Sequence, residues 1–210
     1  MKTVLQILLI VAIFILGYYC VESINKPVRF QKEYELRKSK VIERLIDIRS
    51  AQSAFRSMNQ KFTGSFDSLI YFIKNDSLPL VRMEGSLTDS MLAAGVTEIM
   101  ALRMGVIKRD TIRISVKDSL FHSKPWIVDS LRYVPFSGGK VFEMGTSVIN
   151  TVSGVKVPVF EAKTHNNVYL NGLERQEVIN LNDKSKKLEK YAGLKVGSIE
   201  EANNNIGNWE

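Results

Sequence analysis

The sequence predicts an α+β fold in which an N-terminal transmembrane helix and a long amphipathic helix precede a mainly antiparallel sheet with short helices. Three patterns lead to this prediction: an uncharged apolar run at 4–21, an apolar repeat every seven residues over 34–62, and a period-two alternation that begins after residue 108. Because the helical patterns precede the strand patterns and do not alternate with them, a doubly wound α/β fold is disfavoured.

The length and composition restrict the chain to a few classes of protein. Its 210 residues, 45% of them hydrophobic and 24% charged, suffice for one ordinary domain with an accessory segment. A single cysteine excludes an intrachain disulfide framework and a multi-cysteine zinc site. We therefore expect four segments: an N-terminal tail at 1–3, a membrane anchor at 4–21, a basic amphipathic stalk helix at 22–62 and a globular α+β domain at 63–210.

The membrane anchor is predicted from the run VLQILLIVAIFILGYYCV, which carries no formal charge. At 1.5 Å per residue it covers about 27 Å, close to the roughly 30 Å of a hydrocarbon core. A cleaved signal peptide has a shorter apolar core and small residues before its cleavage site, whereas two bulky tyrosines follow Gly17 here. We therefore predict an uncleaved anchor. The side chains assigned to it are Val4, Leu8, Ile10, Ile13, Ile15, Tyr18 and Tyr19.

An amphipathic helix is predicted from Pro27 to about Asn59, after a break in the chain at 25–27. Apolar residues recur on one face of this helix and form a stripe. Two interpretations stay open: the stripe packs on the remainder of the same domain, or it pairs with the stripe of a second copy, as in a coiled coil. The stripe consists of Tyr34, Val41, Leu45, Ile48, Phe55, Met58 and Phe62.

Most of the net charge of +7 lies in the stalk. Residues 26–64 contain ten basic and four acidic side chains, a net charge of +6, whereas residues 65–210 contain 18 basic and 17 acidic ones, a net charge of +1. This distribution indicates a basic juxtamembrane helix, and no nucleic-acid partner is predicted. The basic side chains either contact anionic lipid headgroups or form a solvated helix face. Those nearest the anchor are Lys26, Arg29, Lys32, Arg37, Lys38 and Lys40.

The remainder of the chain predicts short helices followed by strands. Helices are expected at 65–75 and 173–190, and a helical pair at 88–105. The buried side chains of that pair are predicted to be Met91, Leu92, Ile99, Met100 and Leu102. The predicted strands are 111–116, 131–134, 140–144, 148–152, 155–160 and 167–170. Because Pro158 has no N–H to donate, its strand is expected to be an edge strand or to carry a bulge.

No motif in the sequence predicts catalysis. The glycine-rich phosphate loop and the G-x-S-x-G nucleophile elbow are both missing. His122 and His165 fall in predicted loops, so a Ser–His–Asp site would have to be assembled from distant segments. We therefore predict no catalytic residue, no cofactor and no metal site, and we expect the chain not to be an enzyme.

The apolar N-terminal run leads into a helical segment that ends IDIRSAQSAF at Phe55 and is followed by FTGSFDSL from Phe62. In this arrangement the first third of the chain resembles bacterial pilin and pseudopilin subunits. The resemblance implies an N-terminal helix that connects to a head made largely of antiparallel sheet. The chain departs from the family pattern at the processing site, because no glycine followed by phenylalanine precedes the apolar run and no glutamate occupies its fifth position.

These observations predict a non-enzymatic, membrane-anchored structural or assembly protein of a bacterial envelope, such as a pilin-like subunit, with its head outside the cytoplasm. Its partners would be membrane lipid, further copies of the chain or other envelope proteins. A second hypothesis is a membrane-tethered cytosolic adaptor whose basic helix lies on anionic lipid, since the positive-inside rule keeps the basic side of the anchor in the cytoplasm. An unrecognised hydrolase is the third hypothesis.

Overall fold

The computed structural model describes residues 2–150 and 154–210, apart from the side chains of residues 2–5, 7 and 8. It confirms the α+β class, because a long N-terminal helix is followed by antiparallel sheets and short helices. The helices are α1 Lys2–Asn59, α2 Phe66–Asn75, α3 Asp89–Ala93, α4 Glu98–Arg103, α5 Val116–Phe121, α6 Ile127–Ser130, α7 Asn166–Tyr169 and α8 Arg175–Lys187. The strands are β1 Ser77–Glu84, β2 Lys108–Ser115, β3 Glu143–Asn150, β4 Lys156–His165 and β5 Gly193–Gly197.

Helix α1 runs without interruption through Pro27, so the predicted break at 25–27 is wrong. A proline inside a helix removes one backbone hydrogen bond and costs about 3 kcal/mol. That cost is local, and the turns on both sides of Pro27 keep the helical conformation. The helix ends at Asn59, as predicted, and Gln60 then takes a left-handed conformation with φ 58°.

The chain divides into two compact units, and α1 contributes to both. The first unit combines Met1–Arg49 with Arg132–Glu210, and the second consists of Ser50–Leu131. Each unit contains one antiparallel sheet: the first has the strand order β3-β4-β5, and the second has only β1 and β2.

In the first unit, β3 and β4 form the predicted hairpin, in which Asn150 is opposite Lys156. Residues 151–153, the end of the predicted strand 148–152 and the first residue of the turn expected at 153–154, lie outside the described residues. Pro158 is opposite Val148 of β3, whereas β5 pairs only with Glu161–His165. Pro158 therefore occupies a part of β4 that has a neighbouring strand on one side only, which fits a residue that cannot donate a backbone hydrogen bond.

The predicted strand at 167–170 is wrong, because Asn166–Tyr169 form helix α7. The Nδ1 atom of His165 accepts a hydrogen bond from the backbone N–H of Asn167 and caps this helix. The buried phenol of Tyr169 donates to Oδ1 of Asn166, and the Asn166 amide donates to Oδ1 of Asn182 in α8, each over 2.8 Å. Burial raises the pKa of Tyr169, so its hydroxyl stays a donor at physiological pH.

The predicted strand at 131–134 is reduced to a single bridge between Tyr133 and Val141, because the chain before it forms α6. The loop between these two residues still reverses the chain. The N–H of Val134 donates to the carbonyl of Lys140 over 2.8 Å, and the N–H of Phe142 donates to the carbonyl of Arg132 over 3.0 Å. The two segments therefore pair where the strands 131–134 and 140–144 were predicted, although the pairing is shorter than expected.

In the second unit, α2 buries one face through Phe66, Leu69, Phe72 and Ile73. The turn between α1 and α2 is held by the fully buried Gln52. Its Nε2 atom donates to the carbonyl of Thr63 over 2.6 Å, and its Oε1 atom accepts from the N–H of the same residue over 3.2 Å. A polar side chain is thus retained in the interior because it satisfies two backbone groups.

Residues 77–115 form a hairpin, here called the arm, in which β1 and β2 are joined through α3 and α4. The prediction that Met91, Leu92, Ile99, Met100 and Leu102 form a core is wrong. Leu92, Ile99 and Met100 are more than half exposed, and only Ala101 is buried in the two short helices. Because a two-stranded ribbon with two short helices has too little interior to cover these side chains, their apolar surface faces solvent.

We expect the backbone amides of the arm to exchange hydrogen faster than those of the central strand of the first unit. Exchange at 78–84 and 108–114 should be at least about tenfold faster than at 159–164, because local opening of a ribbon exposes little buried surface. Hydrogen–deuterium exchange of the full chain in detergent, resolved by peptide mass spectrometry, measures this. Equal protection in the two regions would mean that the arm is covered in solution.

Candidate functional site

The strongest functional feature of the structure is the apolar N-terminal half of α1. Within the described residues, α1 is the one helix that is long and apolar enough to cross a membrane, and none of its most apolar window is buried. The predicted anchor residues Ile10, Ile13, Ile15, Tyr18 and Tyr19 are between 51% and 68% exposed. The side chains of Val4 and Leu8 lie outside the described residues. Such a surface requires lipid or other protein to cover it.

The centre of the stripe is covered by the chain itself. Val41, Leu45 and Ile48 have no exposed surface. Further along α1, the ring of Phe55 packs edge-to-face on Phe72 with 5.1 Å between centroids. Tyr34 is half-buried, Met58 is 44% exposed, and Phe62 is buried beyond the end of the helix. The stripe thus supplies core residues at its centre, and Met58 leaves an apolar surface open at its end.

Two arginines of α1 tie the helix to the C-terminal part of the first unit. The guanidinium of Arg37 donates to the carbonyl of Asn171 over 2.9 Å and to that of Tyr169 over 3.2 Å. Nη1 of Arg49 donates to Oε1 of Glu210 over 2.7 Å. The two arginines are twelve residues apart, about 18 Å along the helix axis. The fully buried part of the stripe lies between them. This stretch of α1 is therefore held on the C-terminal part of the first unit at both of its ends.

The six predicted juxtamembrane basic residues divide into two groups. Arg37 is held by backbone carbonyls, Lys38 lies 3.7 Å from Glu35, and Lys40 lies 3.1 Å from Glu43. These three have partners within the chain. Within the described part of the chain, the other three make no ion pair and are exposed: Lys26, Arg29 and Lys32. The sequence could not show the partners of Arg37, which lie more than 130 positions away, whereas Glu35 and Glu43 lie only three positions from Lys38 and Lys40.

The two histidines occupy structural or exposed positions. His165 caps α7, and its ring contacts that of Tyr191 edge-to-face with 6.3 Å between centroids. His122 is exposed after α5. Among the side chains that the structure describes, no group of three histidine, cysteine or acidic residues is arranged to hold a metal ion. The prediction of no enzymatic activity stays a prediction.

Comparison of the chain with models of known protein families, with curated proteins and with solved structures finds no match in any of the three.

Proposed function

We propose that this chain is a non-enzymatic, single-pass membrane protein that serves as a structural or assembly subunit of a bacterial envelope. The division of α1 into two parts carries the proposal. Residues 9–21 project an apolar surface that the chain does not cover, whereas Val41, Leu45 and Ile48 are fully buried. The first part suits a lipid bilayer or a bundle of neighbouring helices, and the second part packs into the core of the chain.

The pilin-like arrangement belongs to this proposal. It rests on the resemblance carried by residues 46–69, and it requires one continuous helix that leads from an apolar N-terminal segment into units with antiparallel sheets, as α1 does. Because the processing motif of that family is missing, the subunits would assemble with an uncleaved N-terminus. The head would then lie outside the cytoplasm, and other copies or envelope proteins would be its partners.

The arm offers a second surface for such assembly. Its exposed apolar side chains lie on the ribbon as well as on the short helices, and a partner that covers several of them would remove apolar surface from water. They are Leu80, Val81, Met83, Leu92, Ile99, Met100 and Met104.

The native Cys20 provides the test of assembly, because it is exposed at the end of the anchor segment. If copies pack through their N-terminal helices, oxidation of membranes with copper phenanthroline should convert the chain to disulfide-linked dimers. Diluting the membranes about tenfold with added lipid should leave the dimer fraction unchanged, because packed helices do not depend on random collision. Cys20→Ser is the matched control. A dimer fraction that falls in proportion to dilution would contradict self-assembly through this helix.

The cytosolic adaptor is the second candidate, and the three basic residues without ion pairs favour it. The two candidates differ in the side of the membrane on which the head lies. A cysteine at the exposed position 140, made as Lys140→Cys in the Cys20→Ser background, should react with a membrane-impermeant maleimide in spheroplasts if the head is extracytoplasmic. Labelling only after lysis would place the head in the cytosol and overturn the envelope proposal.

A further inference from the structure

A cleft of about 290 Å³ lies between α1 and the loop that connects α7 to α8. On the helix side it is lined by Glu22, Lys26, Arg29, Phe30 and Glu33, and on the loop side by Glu174 with its two preceding residues. A second cleft of about 320 Å³ continues from it, shares Glu22, Lys26 and Glu174, and reaches Tyr19 at the end of the anchor segment. Together the two clefts extend from the end of the anchor segment to the loop before α8.

The position of the cleft along α1 matches the headgroup layer of a bilayer. Taking Val21 as the end of the anchor and 1.5 Å per residue, Lys26 lies about 7 Å and Arg29 about 12 Å beyond the hydrocarbon core. The headgroup layer extends roughly 5–8 Å from that core, and long basic side chains reach back toward it. Arg29 starts about 4 Å beyond the outer edge of this layer, whereas Lys32, about 16 Å from the core, starts about 8 Å beyond it.

The charges of the cleft identify the kind of headgroup. Within the described part of the chain, Glu22, Lys26, Arg29 and Glu174 make no ion pair with one another or with other residues, although they line the same space. Glu33 also lines it and lies 3.8 Å from Arg37. Glu177 lines the second cleft, so over the two clefts two cations face four carboxylates and there is no excess of positive charge. A headgroup with a net negative charge would meet these carboxylates, whereas a headgroup with one anion and one cation would satisfy both signs.

From this geometry we propose that the cleft binds the headgroup of phosphatidylethanolamine, with the phosphate between Lys26 and Arg29 and the primary ammonium on Glu22 and Glu174. The inference rests on the proposed membrane anchor, because the cleft is at headgroup depth only if residues 4–21 span the bilayer. A primary ammonium donates up to three hydrogen bonds to carboxylates, whereas the quaternary ammonium of phosphatidylcholine donates none. The two lipids have the same net charge, so they separate hydrogen bonding from general electrostatics.

The full chain in detergent is incubated with equimolar phosphatidylethanolamine, phosphatidylcholine and phosphatidylglycerol, and bound lipid is counted by native mass spectrometry. We expect about a threefold to tenfold preference for phosphatidylethanolamine, the range of one or two partly exposed charged contacts. Soluble glycerophosphoethanolamine should compete, and inorganic phosphate at the same concentration should not. Equal binding of phosphatidylcholine, a preference for phosphatidylglycerol, or competition by phosphate would each overturn the proposal.

Variants assign the preference to this cleft. Glu22→Gln with Glu174→Gln should abolish the preference over phosphatidylcholine, and Lys26→Gln with Arg29→Gln should reduce the binding of both lipids. Lys32→Gln, which removes one positive charge from the next turn of α1, should leave the preference unchanged. If Lys32→Gln has the same effect as the Lys26/Arg29 pair, the lipid is attracted by overall charge and the cleft is not the site.

Alkaline extraction of membranes distinguishes a failure of the proposed anchor from a failure of the proposed headgroup site. If the chain is released by sodium carbonate, the anchor fails and this inference fails with it. If the chain stays in the membrane and binds the three lipids equally, only the headgroup site is overturned.

Discussion

Leu45→Ala is expected to lower the free energy of unfolding of the first unit by about 2–5 kcal/mol, the range for removing a fully buried leucine side chain. Leu45 has no exposed surface. It lies on the covered stretch of α1, between Arg37 and Arg49, which are both fixed by hydrogen bonds to the C-terminal part of the chain. Replacing leucine by alanine removes an isopropyl group and leaves a cavity, and the fixed positions of Arg37 and Arg49 on either side oppose its closure.

The neighbouring residue provides a matched control for this prediction. Ile46 follows Leu45 directly but is 38% exposed. Ile46→Ala removes a similar amount of side chain from the other face of the helix, so we expect it to cost less than about 1 kcal/mol. Equal losses in the free energy of unfolding for the two variants would mean that this part of α1 does not pack on the rest of the first unit.

The measurement follows urea unfolding of the detergent-solubilised chain through tryptophan fluorescence. Because the two units need not unfold together, the signal has to be assigned to one of them. Trp209 belongs to the first unit, and Trp126, in the second unit, is 69% exposed. The Trp126→Phe background therefore reports on the first unit alone.

The features that the sequence predicted well are those with a long, regular pattern. The apolar run and the seven-residue repeat extend over many turns of one helix, so each residue adds to the same signal. The stripe did not show which of its members would be covered. Val41 and Met58 are both apolar stripe positions, yet the first is fully buried and the second is 44% exposed. The difference in exposure depends on which distant segments of the chain pack on the helix, so a local sequence pattern cannot predict it.

Short elements were harder to predict because their stability comes from distant contacts. Strand β5 was missed, since glycines stand at both of its ends and weaken a strand pattern. In the structure those glycines are needed: a Cβ at Gly193 would collide with the carbonyl of Thr164, and one at Gly197 would collide with that of Phe160. The close approach of β5 to β4 therefore selects residues that local propensity associates with turns.

The cleft at Glu174 was missed for a similar reason. Lys26 and Arg29 were recognised as basic juxtamembrane residues, but their acidic counterpart is about 145 positions further along the chain, in the loop before α8. From the sequence, these basic residues were expected either to contact anionic lipid headgroups or to form a solvated helix face. Their juxtaposition with Glu174 changes the expected chemistry of the ligand from an anion to a zwitterion.

Ile10→Arg combined with Ile13→Arg is expected to release the chain from membranes. The run 4–21 contains twelve valine, leucine, isoleucine or phenylalanine residues, which together favour insertion by about 4–7 kcal/mol on a translocon scale. One arginine near the middle costs about 2.5–3.5 kcal/mol, so a single substitution leaves insertion favourable. Two arginines cost about 5–7 kcal/mol, and the loss of two isoleucines adds to this cost. The free energy of insertion is then close to zero or unfavourable.

The control places the same charges where the bilayer tolerates them. Tyr18→Arg combined with Tyr19→Arg adds two arginines at the end of the run, where their guanidinium groups can reach the headgroup layer. This variant should stay in the membrane pellet after extraction with sodium carbonate, whereas the Ile10/Ile13 variant should move largely to the supernatant. If the Ile10/Ile13 variant also stays in the pellet, the prediction is wrong, and insertion of the run 4–21 into lipid is not what retains the chain.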